Sequence, residues 1–290
     1  MREPARTPEP ARTPEPAPLR VAAAQLTAGE DPAANLDLVR QAAAAGAEQG
    51  ARLVVLPEAT MSAFTNRRLD QVAQPLDGPF ADGVRAAAQE HQVVLVVGLF
   101  TPADTITTDE GRTRHRVHNT LLVTGPGVAE TTYRKIHLFD AFGTTESDGV
   151  APGREVVDVD VDGWRVGLAT CFDVRFADHF TELGRRGCQL VVLPASWGDG
   201  PGKADQWDLL TRARAHDAQA WLLAAGQSWT PRSTQGPFGI GRSALADPTG
   251  AVRARLDGGD GLLVADVDAA SVTAARRQVP VVAVAGTAID

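Results

Sequence analysis

The sequence predicts an α/β fold that is internally duplicated and forms one sandwich-like domain with helices on the outside. Short apolar runs alternate with alanine-rich stretches of helical length, which is the pattern of buried strands followed by helices. The pentapeptide LVVLP occurs twice, at 53–57 and at 190–194. Because both copies lie in the same order of predicted elements, a duplication is the simplest explanation.

The first half begins with the predicted strand RVAAAQL at 20–26. A helix is predicted over 31–50. Asp31 suits its N-cap, Pro32 its first helical position and Gly50 its end. The elements that complete this half are a strand over 51–60, a helix around 80–91 and a strand over 93–100.

The second half repeats this order of elements. We predict a strand over 164–172, a helix over 176–187, a strand over 188–197, a helix over 203–219 and a strand over 220–227. Functional sites of α/β sheets gather beyond the carboxyl ends of strands. Glu58 follows the first LVVLP, and Cys171 ends the first strand of the second half, so both are candidates for one cleft.

Residues 1–18 differ in composition from the rest of the chain. They repeat the unit EPARTP, and such a segment offers few backbone donors and little apolar surface to bury. We therefore expect a disordered or polyproline-like tail over 1–18 and one folded domain over 19–290.

Charge and cysteine content limit the classes of function. The formal net charge is −8 and the pI is about 5.3, which argues against nucleic acid as a partner. Two cysteines do not make a disulfide framework, so we expect a reducing, cytoplasmic location. No apolar run reaches the ~18 residues of a membrane span, and the N-terminus lacks the apolar core of a signal peptide, so no membrane partner is expected.

Three residues, Glu58, Lys135 and Cys171, have side chains suited to catalysis. Each of them could instead have a purely structural role. Glu58 passes from a buried strand into a loop, which suits a general base or equally an acid at a helix N-terminus. Lys135, in YRKIHLF, is a catalytic lysine or an exposed lysine on an edge strand. Cys171, in LATCFDVRF, is a nucleophile or a buried inert thiol. We expect His137 to be a structural hydrogen-bond partner and Cys188 to be buried and inert.

The segments LVVLPEA, YRKIHLFD and LATCFDVRF resemble, in this order, the three signature segments of the nitrilase-type carbon–nitrogen hydrolases. The resemblance extends from about Leu19 to about Pro280. It implies an αββα fold with two mixed sheets inside and helices outside. It also implies a catalytic set of Glu58, Lys135 and Cys171, in which a carboxylate is the base and no histidine is required.

This resemblance implies hydrolysis of a small carboxamide with release of ammonia. Cys171 would attack the carbonyl while Glu58 accepts the thiol proton, and the resulting thioester would be hydrolysed by water. Lys135 and the backbone N–H of Phe172 would stabilise the oxyanion, and the lysine charge would favour the thiolate. No cofactor is implied, and no metal site is predicted because HRVH at 115–118 lacks further ligands. A homodimer or higher homo-oligomer is expected from the family.

Further positions gain roles from the resemblance. Glu146, in FGTTESDG, matches a second family glutamate that positions the substrate or Lys135; the alternative is a surface charge on a loop. Arg175 matches a family arginine, which binds a substrate carboxylate or pairs with an internal acid such as Asp173. The segment opposite Glu58 that lines the acyl site corresponds to Ala195, Ser196 and Trp197.

The substrate is specified less directly. YRKIHLFD and CFDVRF are most similar to the branch that hydrolyses ω-amides of dicarboxylates and deaminated glutathione. Arg242 stands where that branch often has histidine, and we expect it on a loop bordering the same cleft. A nitrile or an N-carbamoyl amino acid is an alternative substrate. A non-catalytic binding protein on the same fold is the alternative from a different class.

Overall fold

The computed structural model of the chain describes residues 15–107, 111–229 and 239–284. The strands of this part, in chain order, are β1 (Leu19–Gln25), β2 (Leu53–Val55), β3 (Val94–Thr107), β4 (Thr113–Thr124), β5 (Thr131–Arg134), β6 (Asp140–Ala141), β7 (Thr144–Thr145), β8 (Asp158–Val161), β9 (Trp164–Leu168), β10 (Leu190–Ala195), β11 (Trp221–Gly226), β12 (Ala244–Ala246), β13 (Val252–Arg255) and β14 (Gly261–Val267). Its helices are α1 (Pro32–Glu48), α2 (Leu69–Val72), α3 (Pro79–His91), α4 (Ala177–Arg185), α5 (Lys203–Ala218), α6 (Ala269–Gln278) and α7 (Val281–Val284), with 3-10 helices at Glu146–Asp148 and Cys171–Arg175. None of the described helices combines the length and apolar character needed to cross a bilayer.

Two six-stranded mixed sheets form the centre of the fold. The strand order is β14-β1-β2-β3-β4-β5 in the first sheet and β13-β12-β11-β10-β9-β8 in the second. Strands β1, β2 and β3 run parallel, as do β9, β10 and β11, and the remaining neighbours pair antiparallel. A short ribbon of β6 and β7 stands apart from both sheets.

The two sheets pack face to face and carry helices on their outer faces. Val55 and Val96 of the first sheet share one inner core with Val192 of the second. Their neighbours point outward, so that Val54 packs with α1 and α3, and Val191 packs with α4 and α5. The alternation of side chains along each strand therefore produces the αββα layering, and the predicted fold class is confirmed.

The register of the strands repeats between the two halves. Val21 of β1 pairs with Leu53 of the first LVVLP, and Val166 of β9 pairs with Leu190 of the second. Leu53 also pairs with Val94, the first residue of β3, and Leu190 pairs with Trp221, the first residue of β11. The two sheets therefore share one strand order and one register, as a duplication predicts.

In the first half, helix α1 matches its prediction and strand β2 is shorter than expected. Asp31 is the N-cap of the helix predicted over 31–50, and its carboxylate accepts the Ala33 N–H at 2.9 Å. The strand predicted over 51–60 consists only of β2, whereas the second LVVLP stays in strand β10 through its proline to Ala195.

In the second half, the strand predicted over 164–172 ends at Leu168, so the prediction that Cys171 ends a strand is wrong. Cys171 instead begins a 3-10 helix. The Asp173 carboxylate accepts the Thr170 N–H at 2.9 Å and so replaces a ladder hydrogen bond with a turn.

Of the predicted tail, residues 15–18 are described, and they contact the domain. The Ala17 carbonyl accepts the indole N–H of Trp164 at 2.8 Å, and the Thr273 hydroxyl donates to the Glu15 carboxylate at 2.6 Å. The contacts with the domain thus begin before residue 19. The prediction for residues 1–14 lies outside the described residues.

Candidate active site

Tight turns at the ends of strands place the predicted catalytic residues. Glu58 and Cys171 follow the parallel strands β2 and β9, and Lys135 directly follows β5. Backbone φ is 58° at Ala59, next to Glu58, and 44° at Cys171 itself. Residues other than glycine rarely adopt positive φ, and such strained positions cluster at functional sites.

The Lys135 ammonium lies between two carboxylates in the interior. Its Nζ donates to Glu58 Oε1 at 3.0 Å and to the two oxygens of Glu146 at 3.0 and 2.9 Å. The Lys135 and Glu58 side chains are only 2% and 1% exposed. Burial alone would lower the pKa of Lys135, but Glu146 and Glu58 outweigh it and hold that pKa well above its usual value. Lys135 is therefore a fixed positive charge, and Glu146 contacts it directly.

Residues from both halves of the chain orient Glu58. Asn119 Nδ2 donates to Glu58 Oε1 and the backbone N–H of Ser196 donates to Oε2, each at 2.8 Å. Gln227 Nε2 donates to the Glu58 backbone carbonyl at 2.9 Å. Ser196, predicted at the acyl site, thus also holds the base. Asn119 and Gln227 were not predicted; the only available signal was a polar amide in or directly after an apolar strand.

The Cys171 thiol is buried against the same carboxylate, and the residue is 8% exposed. Burial raises the pKa of Cys171 well above its usual value, and the charge of Glu58 raises it further. Lys135 lowers this pKa, as expected, but it is outweighed. The resting group is therefore the thiol, and Lys135 shifts its pKa in the direction that was expected.

Asp173 lies in the same 3-10 helix as Cys171 and is fully buried. Its Oδ2 accepts the Tyr133 hydroxyl at 2.6 Å and the Thr170 N–H at 2.9 Å. Its Oδ1 accepts the His137 N–H at 3.0 Å and lies 2.7 Å from His137 Nδ1. Burial alone would raise the pKa of Asp173, but these hydrogen bonds, that of His137 first, hold it below its usual value. The alternative pairing of Arg175 with Asp173 is wrong, because these other donors occupy the carboxylate.

One group of described side chains has the composition of a metal site. His137, Asp173 and His179 each place one ligand atom within 4.8 Å of the others. The hydrogen bonds of Asp173 already engage both of its oxygens. The histidines of HRVH lie on β4 and make separate hydrogen bonds to Thr105 and to the Ala151 carbonyl.

Arg175 ends the 3-10 helix that Cys171 begins, and its side chain lies on an aromatic surface. Its Nη2 donates to Gln206 Oε1 at 2.8 Å, and its Cζ lies 4.7 Å from the centre of the Trp197 ring. Trp197 is 5% exposed and donates its indole N–H to the Lys203 carbonyl at 3.0 Å. Ala195 is fully buried at the end of β10. Burial lowers the pKa of Arg175, and its one hydrogen-bond acceptor within the described ranges is a neutral amide.

Two other residues of the sequence analysis lie outside this cluster. The Arg242 guanidinium pairs with Asp208 of α5, so its charge is already compensated. Cys188 is fully buried just before β10, and burial raises its pKa to about 12.

A buried thiol, a carboxylate within hydrogen-bond reach and a fixed ammonium are suited to attack on a carbonyl carbon and to stabilisation of the resulting oxyanion. On a duplicated αββα fold they define a class of amide-hydrolysing enzymes. The family model described as carbon–nitrogen hydrolase matches residues 20–277. The chain therefore belongs to the carbon–nitrogen hydrolase family, and it is an amidase.

Known proteins are similar over nearly the whole chain. Hydrolase Rv0480c of Mycobacterium tuberculosis is 49% identical over 273 residues, which cover 91% of this chain and 94% of that protein. Human omega-amidase NIT2 is 31% identical over 241 residues, covering 81% and 83% respectively. A variant of the amidase from Nesterenkonia sp. AN1, with the acetamide moiety of fluoroacetamide added covalently at its active-site cysteine, superposes with a TM-score of 0.73 at 26% identity, over 90% of this chain and 94% of that one.

Proposed function

We propose that the enzyme hydrolyses small carboxamides, above all ω-amides of dicarboxylates, through a thioester on Cys171. One observation carries this proposal: the buried Glu58 carboxylate contacts the Lys135 ammonium at 3.0 Å, and its charge raises the pKa of the buried Cys171 thiol beside it. Each of the three groups thereby touches a partner that the reaction needs.

In the first half-reaction, Cys171 Sγ attacks the amide carbonyl and Glu58 accepts the thiol proton. Because the thiol pKa is raised, the proton leaves during the attack and not before it. Lys135 stabilises the oxyanion, joined by the N–H of Phe172 in the first turn of the 3-10 helix. The intermediate then collapses, the C–N bond breaks, and protonated Glu58 returns the proton to the leaving nitrogen, which departs as ammonia.

In the second half-reaction, water attacks the thioester while Glu58 accepts one of its protons. The C–S bond breaks, Cys171 recovers its proton, and the product leaves as a carboxylic acid. Every step uses groups of this chain. The covalent adduct at the active-site cysteine of the Nesterenkonia amidase supports the thiol as the nucleophile.

The preference for a distal carboxylate rests on Arg175. Arg175 ends the 3-10 helix that Cys171 begins, and its guanidinium is bound by a neutral amide, which leaves its charge available to a substrate carboxylate. The similarity to human omega-amidase supports the same substrate class.

An ammonia-release screen tests the proposal. It compares ω-amides, aliphatic carboxamides, N-carbamoyl amino acids and nitriles, with Cys171→Ala as the inactive control and Cys188→Ala as the matched thiol control. We expect ω-amides to be hydrolysed fastest, Cys188→Ala to remain active and Cys171→Ala to be inactive. Activity confined to nitriles or carbamoyl compounds, or retained in Cys171→Ala, contradicts the proposal.

A further inference from the structure

We propose that Lys203 is a second substrate-binding cation and, together with Arg175, holds the distal carboxylate of the substrate. This inference rests on the proposed function and names a specificity residue for it. Lys203 is the first residue of α5. It lies 68 positions from Lys135 in the sequence, and the chain has only these two lysines among its 28 lysine and arginine residues.

The two cations stand on one aromatic surface, which includes Phe172, the residue directly after Cys171. Lys203 Nζ lies 4.2 Å from the centre of the Phe142 ring, 5.4 Å from Phe139 and 5.6 Å from Trp197. Arg175 Cζ lies 4.7 Å from the same Trp197 ring. The surface joins the catalytic residues, because the Phe139 N–H donates to the Glu146 carboxylate that holds Lys135.

Neither cation forms an ion pair with any residue of the described ranges. Arg175 donates to the neutral Gln206 side chain, and Lys203 contacts aromatic rings. By contrast, Arg242 on the far side of α5 is paired with Asp208. Two like charges that are partly buried and lack an acid are unfavourable until an anion arrives.

The lowered pKa of Lys203 agrees with a site that binds an anion. Burial lowers the pKa of Lys203, the positive charge of Arg175 lowers it further, and Cys171 opposes both. A bound carboxylate would raise the pKa of Lys203 and so oppose the effect of Arg175. A planar guanidinium offers paired donors to a carboxylate, and an ammonium adds a point charge with freely rotating donors. The rings of Phe139 and Trp197 would pack against the methylene groups between the carboxylate and the amide.

The first experiment compares glutaramate with pentanamide, which has the same chain length and no carboxylate. In Lys203→Met we expect the ratio of kcat/KM for glutaramate over pentanamide to fall by about 10- to 100-fold, as the loss of one charge-assisted hydrogen bond predicts. Lys203→Arg should restore most of the ratio. Arg277→Met, which removes an exposed charge from α6, is the matched control and should leave the ratio unchanged. An unchanged ratio in Lys203→Met overturns the inference, as does an equal loss on both substrates.

The second experiment does not need turnover. Reductive methylation of full-length Cys171→Ala, followed by mass spectrometry, reports on the two lysines separately. Lys203 is partly exposed with a lowered pKa and should react, whereas Lys135 is buried with a raised pKa and should not. Glutarate should slow methylation of Lys203, and pentanamide should not. If wild type hydrolyses no amide but glutarate protects Lys203, the proposed function fails and the anion site stands. If amides are hydrolysed and glutarate gives no protection, the Lys203 inference fails alone.

Discussion

Lys135 Nζ donates to Glu58 Oε1 at 3.0 Å, and both side chains are almost completely withdrawn from water. An ion pair in such a place costs free energy to desolvate, and removing one partner leaves a buried charge without compensation. The contact therefore couples the stability of the fold to the proposed chemistry, because the residue that we propose to stabilise the oxyanion also neutralises the proposed base.

Lys135→Met should lose both stability and activity. The free energy of unfolding should fall by about 3–5 kcal/mol, since Glu58 and Glu146 remain buried without a cation. Turnover should fall by about 10²- to 10³-fold with the loss of the oxyanion donor. Lys135→Met/Glu146→Gln should regain part of the stability and none of the activity. Denaturant unfolding measures the loss of stability, and ammonia release measures the loss of activity. A Lys135→Met turnover within about threefold of wild type would contradict the role of Lys135 in stabilising the oxyanion.

The raised pKa of Lys135 also fixes the sign of one pH effect. A lysine whose native pKa exceeds its unfolded value of about 10.4 contributes its full stability below that value and loses it as the pH rises through the native pKa. The difference in unfolding free energy between wild type and Lys135→Met should therefore be constant from pH 7 to pH 9.

Glu58→Gln should abolish hydrolysis yet make the thiol more reactive. The Glu58 charge raises the Cys171 pKa, so its removal lowers that pKa and increases the thiolate fraction. In wild type the pKa lies above the assay range, and alkylation by iodoacetamide should accelerate about tenfold per pH unit between pH 7 and 9. At pH 8 the Glu58→Gln variant should be alkylated faster than wild type. Both proteins should carry Cys188→Ala so that one thiol is measured. A wild-type rate independent of pH would instead indicate a resting thiolate.

Gly98→Ala should impair catalysis although Gly98 contacts no substrate. A Cβ at this position of β3 would lie 2.8 Å from Ala59 N, 2.9 Å from Pro57 O and 3.0 Å from Glu58 Cα. All three are backbone atoms, so the loop that carries the base must move. A displacement near 1 Å costs about 100-fold in rate. Gly259→Ala, where a Cβ meets nothing within 4 Å, is the matched control for kcat and melting temperature. Equal kcat values for the two variants would contradict the prediction.

Truncation at two points should locate the start of the stabilising contacts. The proline-rich composition of residues 1–14 predicts no change in melting temperature or activity when they are removed. Removal of residues 1–18 should lower the melting temperature, because Trp164 and Thr273 lose their hydrogen bonds to this segment. Calorimetry of the two truncations measures the difference. Identical melting temperatures would show that these contacts contribute nothing measurable.

The sequence was informative where local chemistry decides structure. Apolar runs predicted the parallel strands, and the residues after them, Glu58 and Cys171, lie together as expected from their place at strand ends. The sequence did not predict the contacts that join distant segments of the chain. Asn119 and Gln227 are 61 and 169 residues from Glu58, and no local pattern marks them.

Two local features also escaped prediction. Strand β3 continues through the polar segment TPADTIT to Thr107, because its antiparallel pairing with β4 compensates for weak intrinsic preference. The left-handed backbone of Cys171 results from the turn that Asp173 holds, and a cysteine carries no sequence signal for positive φ.

The repeated register gives two of the proposed catalytic residues, Cys171 and Glu58, a counterpart in the other half. Val21 and Val166 occupy equivalent positions of β1 and β9, so Leu26, five residues after Val21, corresponds to Cys171. In the two LVVLP segments, the residue after the proline is Glu58 in the first and Ala195 in the second. At the equivalent positions of the other half, Leu26 therefore stands in place of the thiol and Ala195 in place of the carboxylate. If Glu58 and Cys171 act as proposed, one polypeptide should titrate a single equivalent of a mechanism-based inactivator. Cut between its halves, the chain would yield two catalytically silent fragments, the base in one and the nucleophile in the other.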